Sequence, residues 1–192
     1  MNKLLLIIDP QIDFISGALP VPGAERAMNS LAGYIQTHGN RYDRIIITAD
    51  RHPMDHCSFA CTGGKWPRHC VADSVGAAIW PPVMDALYGH SEKVTVLHKG
   101  ENAGKEEYSI FKNTQAAEKI RHLLNGRGIK EIDICGLAGD VCVADTIRDG
   151  VRLPDKTAFN VLTRYTPSLD GGDILDGLIK SGFATGIADD TQ

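Results

Sequence analysis

The stretch Glu131-Ile-Asp-Ile-Cys-Gly-Leu-Ala-Gly-Asp-Val-Cys-Val-Ala-Asp-Thr-Ile-Arg-Asp-Gly150 changes its hydrophobic period halfway along. Glu131 to Cys135 reads as a short buried strand, whereas Val141, Ala144, Ile147 and Val151 recur at helix spacing. A strand, a glycine-bearing turn and a helix therefore meet around Cys142. Near the first turn of a helix, free backbone N–H groups and the positive dipole end favour a thiolate. The same N–H groups can receive the oxygen of a tetrahedral intermediate. A free cysteine is more often a small core hydrophobe. Position alone leaves Cys142 open between nucleophile and packing residue.

The same alternation extends in both directions. Leu4 to Ile8 is an apolar run closed by Asp9-Pro10, and Ile45 to Thr48 is closed by Ala49-Asp50. Val94 to Leu97 ends at His98-Lys99-Gly100, Ala158 to Leu162 makes a fifth strand, and Phe183 to Ile187 a short sixth. Helical stripes lie between them: Ala27, Leu31 and Ile35; Ala116, Ile120, Leu123 and Leu124, with Gly126 and Gly128 at the exit; and Ile174, Leu175, Leu178 and Ile179, closed by Gly182. Short buried strands alternating with helices predict a three-layer α/β/α arrangement on a six-stranded parallel sheet. Residues 1–192 read as one domain, since a chain of this length can bury a single substantial core. Residues 50 to 92 do not fit a compact template, carrying only a weak helical pattern over Val83 to Leu87. Connections that long are usually functional.

Composition narrows the partners. A net charge of −4 provides no basic footprint for nucleic acid or an anionic membrane. No apolar run is long enough to span a bilayer, and the N-terminus lacks the pattern of a signal peptide. Five cysteines make an odd count without disulfide spacing, so reduced thiols in a cytoplasm are expected.

In an open parallel sheet, ligands bind beyond the carboxyl ends of the strands. The first four predicted strands end at Asp9, Asp50, Lys99 and the Cys142 turn. Each alone could be a solvated terminus; together their chemistry is complementary. A thiol needs a base to take its proton and an acid to hand one to a poor leaving group. Asp9 can do both in turn, and a cation at Lys99 would favour the charged forms of Asp9 and of the thiol. His98 should point away from the face that Lys99 takes. A second constellation, Asp50, His52, Asp55, His56, Cys57, Cys61, His69 and Cys70, fills the next loop. Asp50-x-His52 with a returning His69 suits a catalytic metal site of two histidines and a carboxylate. A structural zinc knot on Cys57, Cys61 and His69, or a loop without metal, are the competing readings.

The motifs Ile8-Asp9-Pro-Gln-Ile-Asp-Phe14, Asp50-Arg-His52-Pro-Met-Asp-His56-Cys-Ser-Phe59, Trp66-Pro-Arg-His69-Cys-Val71, His98-Lys99-Gly100 and Gly136-Leu-Ala-Gly-Asp-Val-Cys142-Val run in this order over most of the chain. They resemble the isochorismatase-like superfamily of cysteine hydrolases and, within it, the nicotinamidase (pyrazinamidase) branch. The resemblance implies that superfamily's hydrolase fold, and hydrolysis of nicotinamide to nicotinate and ammonia in NAD salvage through a cysteine thioester, with pyrazinamide a further substrate. It implies a triad of Asp9, Lys99 and Cys142, and an oxyanion hole from the Ala138 and Cys142 amides after a cis Leu137–Ala138 peptide. It implies one divalent metal, zinc before iron or manganese, on Asp50, His52 and His69, with His56 as a further ligand or just outside, and no organic cofactor. Phe14, Trp66 and Tyr108 match aromatic pocket positions, and a homo-oligomer is compatible with the family. Gly139 departs from the family, which often carries a side chain there. A superfamily amidase acting on another small amide, such as a carbamoyl or ureido compound, is the alternative; it needs the triad but not the metal.

Overall fold

Apolar runs too short for helices and closed by polar residues become strands, and amphipathic stripes between them become the covering layers. A computed structural model of the protein describes residues 2–153 and 157–188. In chain order its principal elements are β1 (Lys3–Ile8), α1 (Ile12–Ile15), α2 (Ala24–His38), β2 (Arg44–Asp50), α3 (Pro81–Tyr88), β3 (Val94–Lys99), α4 (Thr114–Arg127), β4 (Glu131–Gly136), α5 (Ala144–Gly150), β5 (Ala158–Leu162), α6 (Asp173–Lys180) and β6 (Thr185–Ile187). The six strands pair in parallel in the order β3-β2-β1-β4-β5-β6.

The period-2 alternation of β1 divides the core. Leu5 and Ile7 join Ile45, Ile47 and the α2 residues Met28, Leu31 and Ile35 on one face. Leu4, Leu6 and Ile8 join Ile46, Ile120 of α4, Ile147 of α5 and Leu178 of α6 on the other. The sheet is thus buried on both sides, as its near-continuous apolar strands require. Because β1 lies between β2 and β4, the strand order reverses beside it. The crevice for ligands opens at such a switch point, beyond the ends of β1 and β4. Asp9 follows β1 directly, and the Cys142 turn follows β4.

Several boundaries differ from the sequence expectation. β2 and β3 continue past their apolar runs to include Asp50 and Lys99, which face each other in register. The weak pattern at Val83 to Leu87 is a full helix, started by prolines at its first positions. Gly126 lies inside α4, and the left-handed exit belongs to Gly128 (φ 62). After β4 the chain passes through a π-helical turn, Gly139–Val143, before α5 begins. None of the helices among the described residues is long and apolar enough to cross a membrane.

Candidate active site

Asp9, Asp50, Lys99 and Cys142 come together at this carboxyl edge, all buried. Lys99 is the centre of the group: its Nζ lies 2.6 Å from Asp50 Oδ1, 2.8 Å from Asp9 Oδ2 and 3.5 Å from Cys142 Sγ. An ammonium has three donors, and here each faces a different anion or potential anion. Asp9 leaves β1 with φ 45, a conformation that aspartate tolerates better than most residues. Its Oδ1 accepts from Thr48 Oγ1 at 2.6 Å. Its Oδ2 meets Lys99 as an ion pair but takes no hydrogen bond of good geometry among the described residues. Oδ2 is therefore the oxygen available to a proton from the neighbouring thiol; Asp9, Asp50 and Cys142 all offer atoms within 4.8 Å of one another.

Burial pushes the Cys142 thiol well above its ordinary range; Lys99 pulls it down, but Asp9 and Asp50 oppose that pull. This departs from the thiolate expected at a helix N-terminus. Cys142 sits in the π-helical turn, 5% exposed, beside two carboxylates, and desolvation outweighs the cation. Burial also raises Asp9, with Asp50 adding to it against Lys99. Burial works against Asp50 as well, yet Lys99 and His52 hold it well below the usual carboxylate range. Lys99, despite its burial, is held well above its ordinary value by Asp50 and Asp9. A protonated thiol next to a carboxylate of raised proton affinity is a pair prepared to exchange one proton.

The Leu137–Ala138 peptide is cis, as the resemblance implied. The Ala138 carbonyl accepts from the Val141 and Val143 amides, which folds the turn over Cys142. Gly139 has a local reason to lack a side chain: a Cβ would run into Ser168 and Leu175.

Asp50, His52 and His69 offer ligand atoms within 4.8 Å of one another, all three buried. Their surroundings fit a cation. His52 Nδ1 meets Gly100 O at 3.0 Å and His69 Nδ1 meets Pro67 O at 2.7 Å. Such contacts fix the tautomer and leave each Nε2 lone pair for a metal. Burial lowers His69, favouring the neutral imidazole that binds metal, whereas His52, with Nε2 3.6 Å from Asp50 Oδ2, is raised by that carboxylate against its burial and must release a proton to bind a metal. His56 stands outside this group. Its Nδ1 bonds Ser58 Oγ at 2.7 Å and its Nε2 bonds Lys105 O at 3.1 Å, while its ring stacks on His52. Both nitrogens are engaged, so His56 supports the ligand loop and donates no lone pair. Cys57 and Cys61 belong to no three-residue ligand group among the described residues, whereas Asp50, His52 and His69 do form one.

One cavity is lined by Cys142, Ala138, Asp50, His52 and His69 together with Phe14, Trp66 and Tyr108. Trp66 Nε1 donates to Tyr108 Oη at 2.9 Å, and Phe14 packs against His69. Glu106, Val141 and Leu169 also line the cavity, and sequence reasoning did not single them out. Nor did it find Gln11, whose side chain bonds both the N–H and the C=O of Asp50 at 2.8 Å. Gln11 lies inside the quoted Asp9 motif, which was the available signal.

The isochorismatase domain family matches residues 3–154. The nicotinamidase of Escherichia coli is 32% identical over 179 residues, spanning 84% of this chain and 81% of its own. The nicotinamidase/pyrazinamidase of Mycobacterium tuberculosis is 32% identical over 155 residues, spanning 78% and 79%. The crystal structure of the Pyrococcus horikoshii pyrazinamidase in complex with zinc has a TM-score of 0.82 at 30% identity, covering 97% of this chain and 99% of that one.

Proposed function

The chain belongs to the isochorismatase domain family, and from that premise we propose that it is an amidohydrolase converting nicotinamide to nicotinate and ammonia, with pyrazinamide a second substrate. The observation that carries the reading is that Cys142 and the Asp50, His52 and His69 group line the same cavity. A thiol at one place and a ligand set for a ring nitrogen at another suit a pyridine that carries a carboxamide.

In the first half-reaction, Cys142 Sγ gives its proton to Asp9 and forms a bond to the carboxamide carbon. The Ala138 and Cys142 amides receive the negative oxygen. The C–N bond breaks as Asp9 passes the proton to the nitrogen, and ammonia leaves a nicotinoyl thioester on Cys142. In the second, water gives a proton to Asp9 and its oxygen attacks the thioester carbonyl. The C–S bond breaks, the proton on Asp9 returns to sulfur, and the nicotinic acid formed loses its remaining proton to solvent as nicotinate. Lys99 remains an ammonium throughout and limits the charge that builds between Asp9 and Cys142. A divalent ion such as zinc on Asp50, His52 and His69 would supply a Lewis-acidic contact for the ring nitrogen. Phe14, Trp66 and Tyr108 would pack on the ring.

Ammonia release by the zinc-loaded protein from nicotinamide, pyrazinamide and benzamide tests the reading. Benzamide has the shape but no ring nitrogen. A site built on a specific polar contact rejects such an analogue strongly, here by about 10² or more in kcat/KM because water can replace the contact. Pyrazinamide should be hydrolysed. Equal kcat/KM for nicotinamide and benzamide would favour a generic small-amide hydrolase instead.

A further inference from the structure

We infer that Glu107 is a positioning residue for both halves of the site, acting through Gly100 on the strand end that carries Lys99 and on the imidazole of His52. The inference deepens the amidohydrolase reading and rests on it for the roles of Lys99 and His52.

Glu107 is 5% exposed, although Glu101, Asn102, Gly104 and Lys105 before it are exposed. A carboxylate is costly to bury unless its oxygens are satisfied. Oε2 accepts from the Gly100 N–H at 3.0 Å and from Asn113 Nδ2 at 3.2 Å, and Oε1 accepts from Lys105 Nζ at 2.7 Å. These contacts outweigh burial and hold the carboxyl below its ordinary range. Asn113 in turn caps α4 by accepting from the Ala116 N–H at 3.0 Å. One buried carboxylate therefore ties the residue after Lys99 to the start of a fourteen-residue helix.

Gly100 transmits that anchoring. Its N–H is held by Glu107, and its carbonyl meets His52 Nδ1 at 3.0 Å. Its φ is +70, and a Cβ there would collide with the His52 ring. Backbone and imidazole are thus in direct contact, so a shift of Gly100 moves His52. The neighbouring Lys99 carbonyl accepts from the Arg51 N–H at 2.9 Å, and Arg51 lies between Asp50 and His52. The loop that carries Glu107 also reaches the ligand loop through Cys57 N to Ala103 O at 2.7 Å and His56 Nε2 to Lys105 O at 3.1 Å. Groups that orient a ligating histidine govern its affinity nearly as much as the ligand itself. The mechanism needs no proton from Glu107, and its contacts give it no access to substrate. Its work is geometric.

The test measures zinc affinity by chelator competition, and separately kcat and KM for nicotinamide, in Glu107→Ala, Glu107→Gln and Lys105→Ala. Losing a partner of this kind weakens metal binding by about tenfold, so Glu107→Ala should bind zinc about that much more weakly and lose kcat more than KM. Glu107→Gln keeps an oxygen for Gly100 and Asn113 and should recover most of the loss. Lys105→Ala removes the outward ion pair and the Nζ bond to the Lys112 carbonyl but leaves both Oε2 bonds in place, and should bind zinc at wild-type strength. Wild-type zinc affinity in Glu107→Ala, or an equal loss in Lys105→Ala, would overturn the inference. Should Glu107→Ala fail to fold, Glu107→Asp carries the test: one methylene fewer withdraws the oxygen from Gly100, and undiminished zinc binding overturns the inference. A wild type that binds zinc in this Glu107-dependent way but releases no ammonia from nicotinamide would sink the substrate reading alone.

Discussion

Around Asp133 and around Asp9 a carboxylate is buried against a lysine, and only one of these two clusters is arranged for chemistry. Around Asp133 in β4, Lys3 Nζ lies 2.9 Å and Tyr42 Oη 2.7 Å from Oδ2, while Asn160 Nδ2 donates to Oδ1 at 3.0 Å. Tyr42 also bonds the Tyr34 hydroxyl, and burial with Asp133 alongside pushes its own ionisation far up. Both oxygens of Asp133 are satisfied, and the cluster only holds strands and loop together. At the carboxyl edge, Asp9 Oδ2 has an ion-pair partner but, among the described residues, no well-formed hydrogen bond, and a thiol and a cavity stand beside it. Burial alone does not mark a functional site. An under-satisfied acceptor next to a nucleophile and a cavity does.

The comparison can be broken most sharply at the nucleophile pair. Cys142→Ala and Asp9→Asn should stay folded, by circular dichroism, and lose nicotinamide turnover by about 10⁴-fold or more, as removal of a nucleophile or its base does. Turnover near wild type in either purified variant would remove that residue from the reaction. The two lysines come next. Lys99→Met leaves Asp9 and Asp50 facing each other without a cation, which should cost about 3–5 kcal/mol in urea unfolding and about 10²-fold or more in kcat. Lys3→Met should cost only about 1 kcal/mol, because Lys3 is partly exposed, and should leave kcat/KM unchanged. Similar activity losses in the two variants would erase the distinction. Tyr42→Phe removes the hydrogen bonds to Asp133 and to the Tyr34 hydroxyl; it should cost about 1–2 kcal/mol and leave activity unchanged.

Much of this is legible in the amino-acid sequence because the signals are local. Asp9, Asp50 and Lys99 each close an apolar run, and a parallel sheet gathers such ends to one edge. Asp50-x-His52 is legible for the same reason, since alternate residues of an extended segment share a side. What escapes is decided by depth and by non-local pairing. Thr48 belongs to the apolar run of β2, so nothing distinguishes it until Asp9 is seen against it. Glu107 reads as one charge in a polar stretch, and its role depends on Gly100 and Asn113 returning to it. His56 has the residue type of a ligand, and only its Ser58 and Lys105 contacts show both nitrogens occupied. The ionisation of the thiol reads with the wrong sign for a related reason. Lys99 and the start of a helix are visible in the sequence, whereas the depth of burial and the nearness of two carboxylates are not.

That sign is where the account is most directly tested. The rate of Cys142 alkylation by iodoacetamide should be followed against pH in the chelator-treated wild type, Asp9→Asn and Lys99→Met, with the labelled peptide identified by mass spectrometry. Burial and the two carboxylates hold the wild-type thiol above its ordinary value, so its rate should still be climbing in the alkaline range where a free cysteine levels off. Asp9 raises the thiol and Lys99 lowers it; the profile should therefore move to lower pH in Asp9→Asn and to higher pH in Lys99→Met. A wild-type plateau already reached at neutral pH, or shifts of the same sign in the two variants, would contradict the arrangement in which Asp9 and Cys142 share a proton beside the Lys99 ammonium.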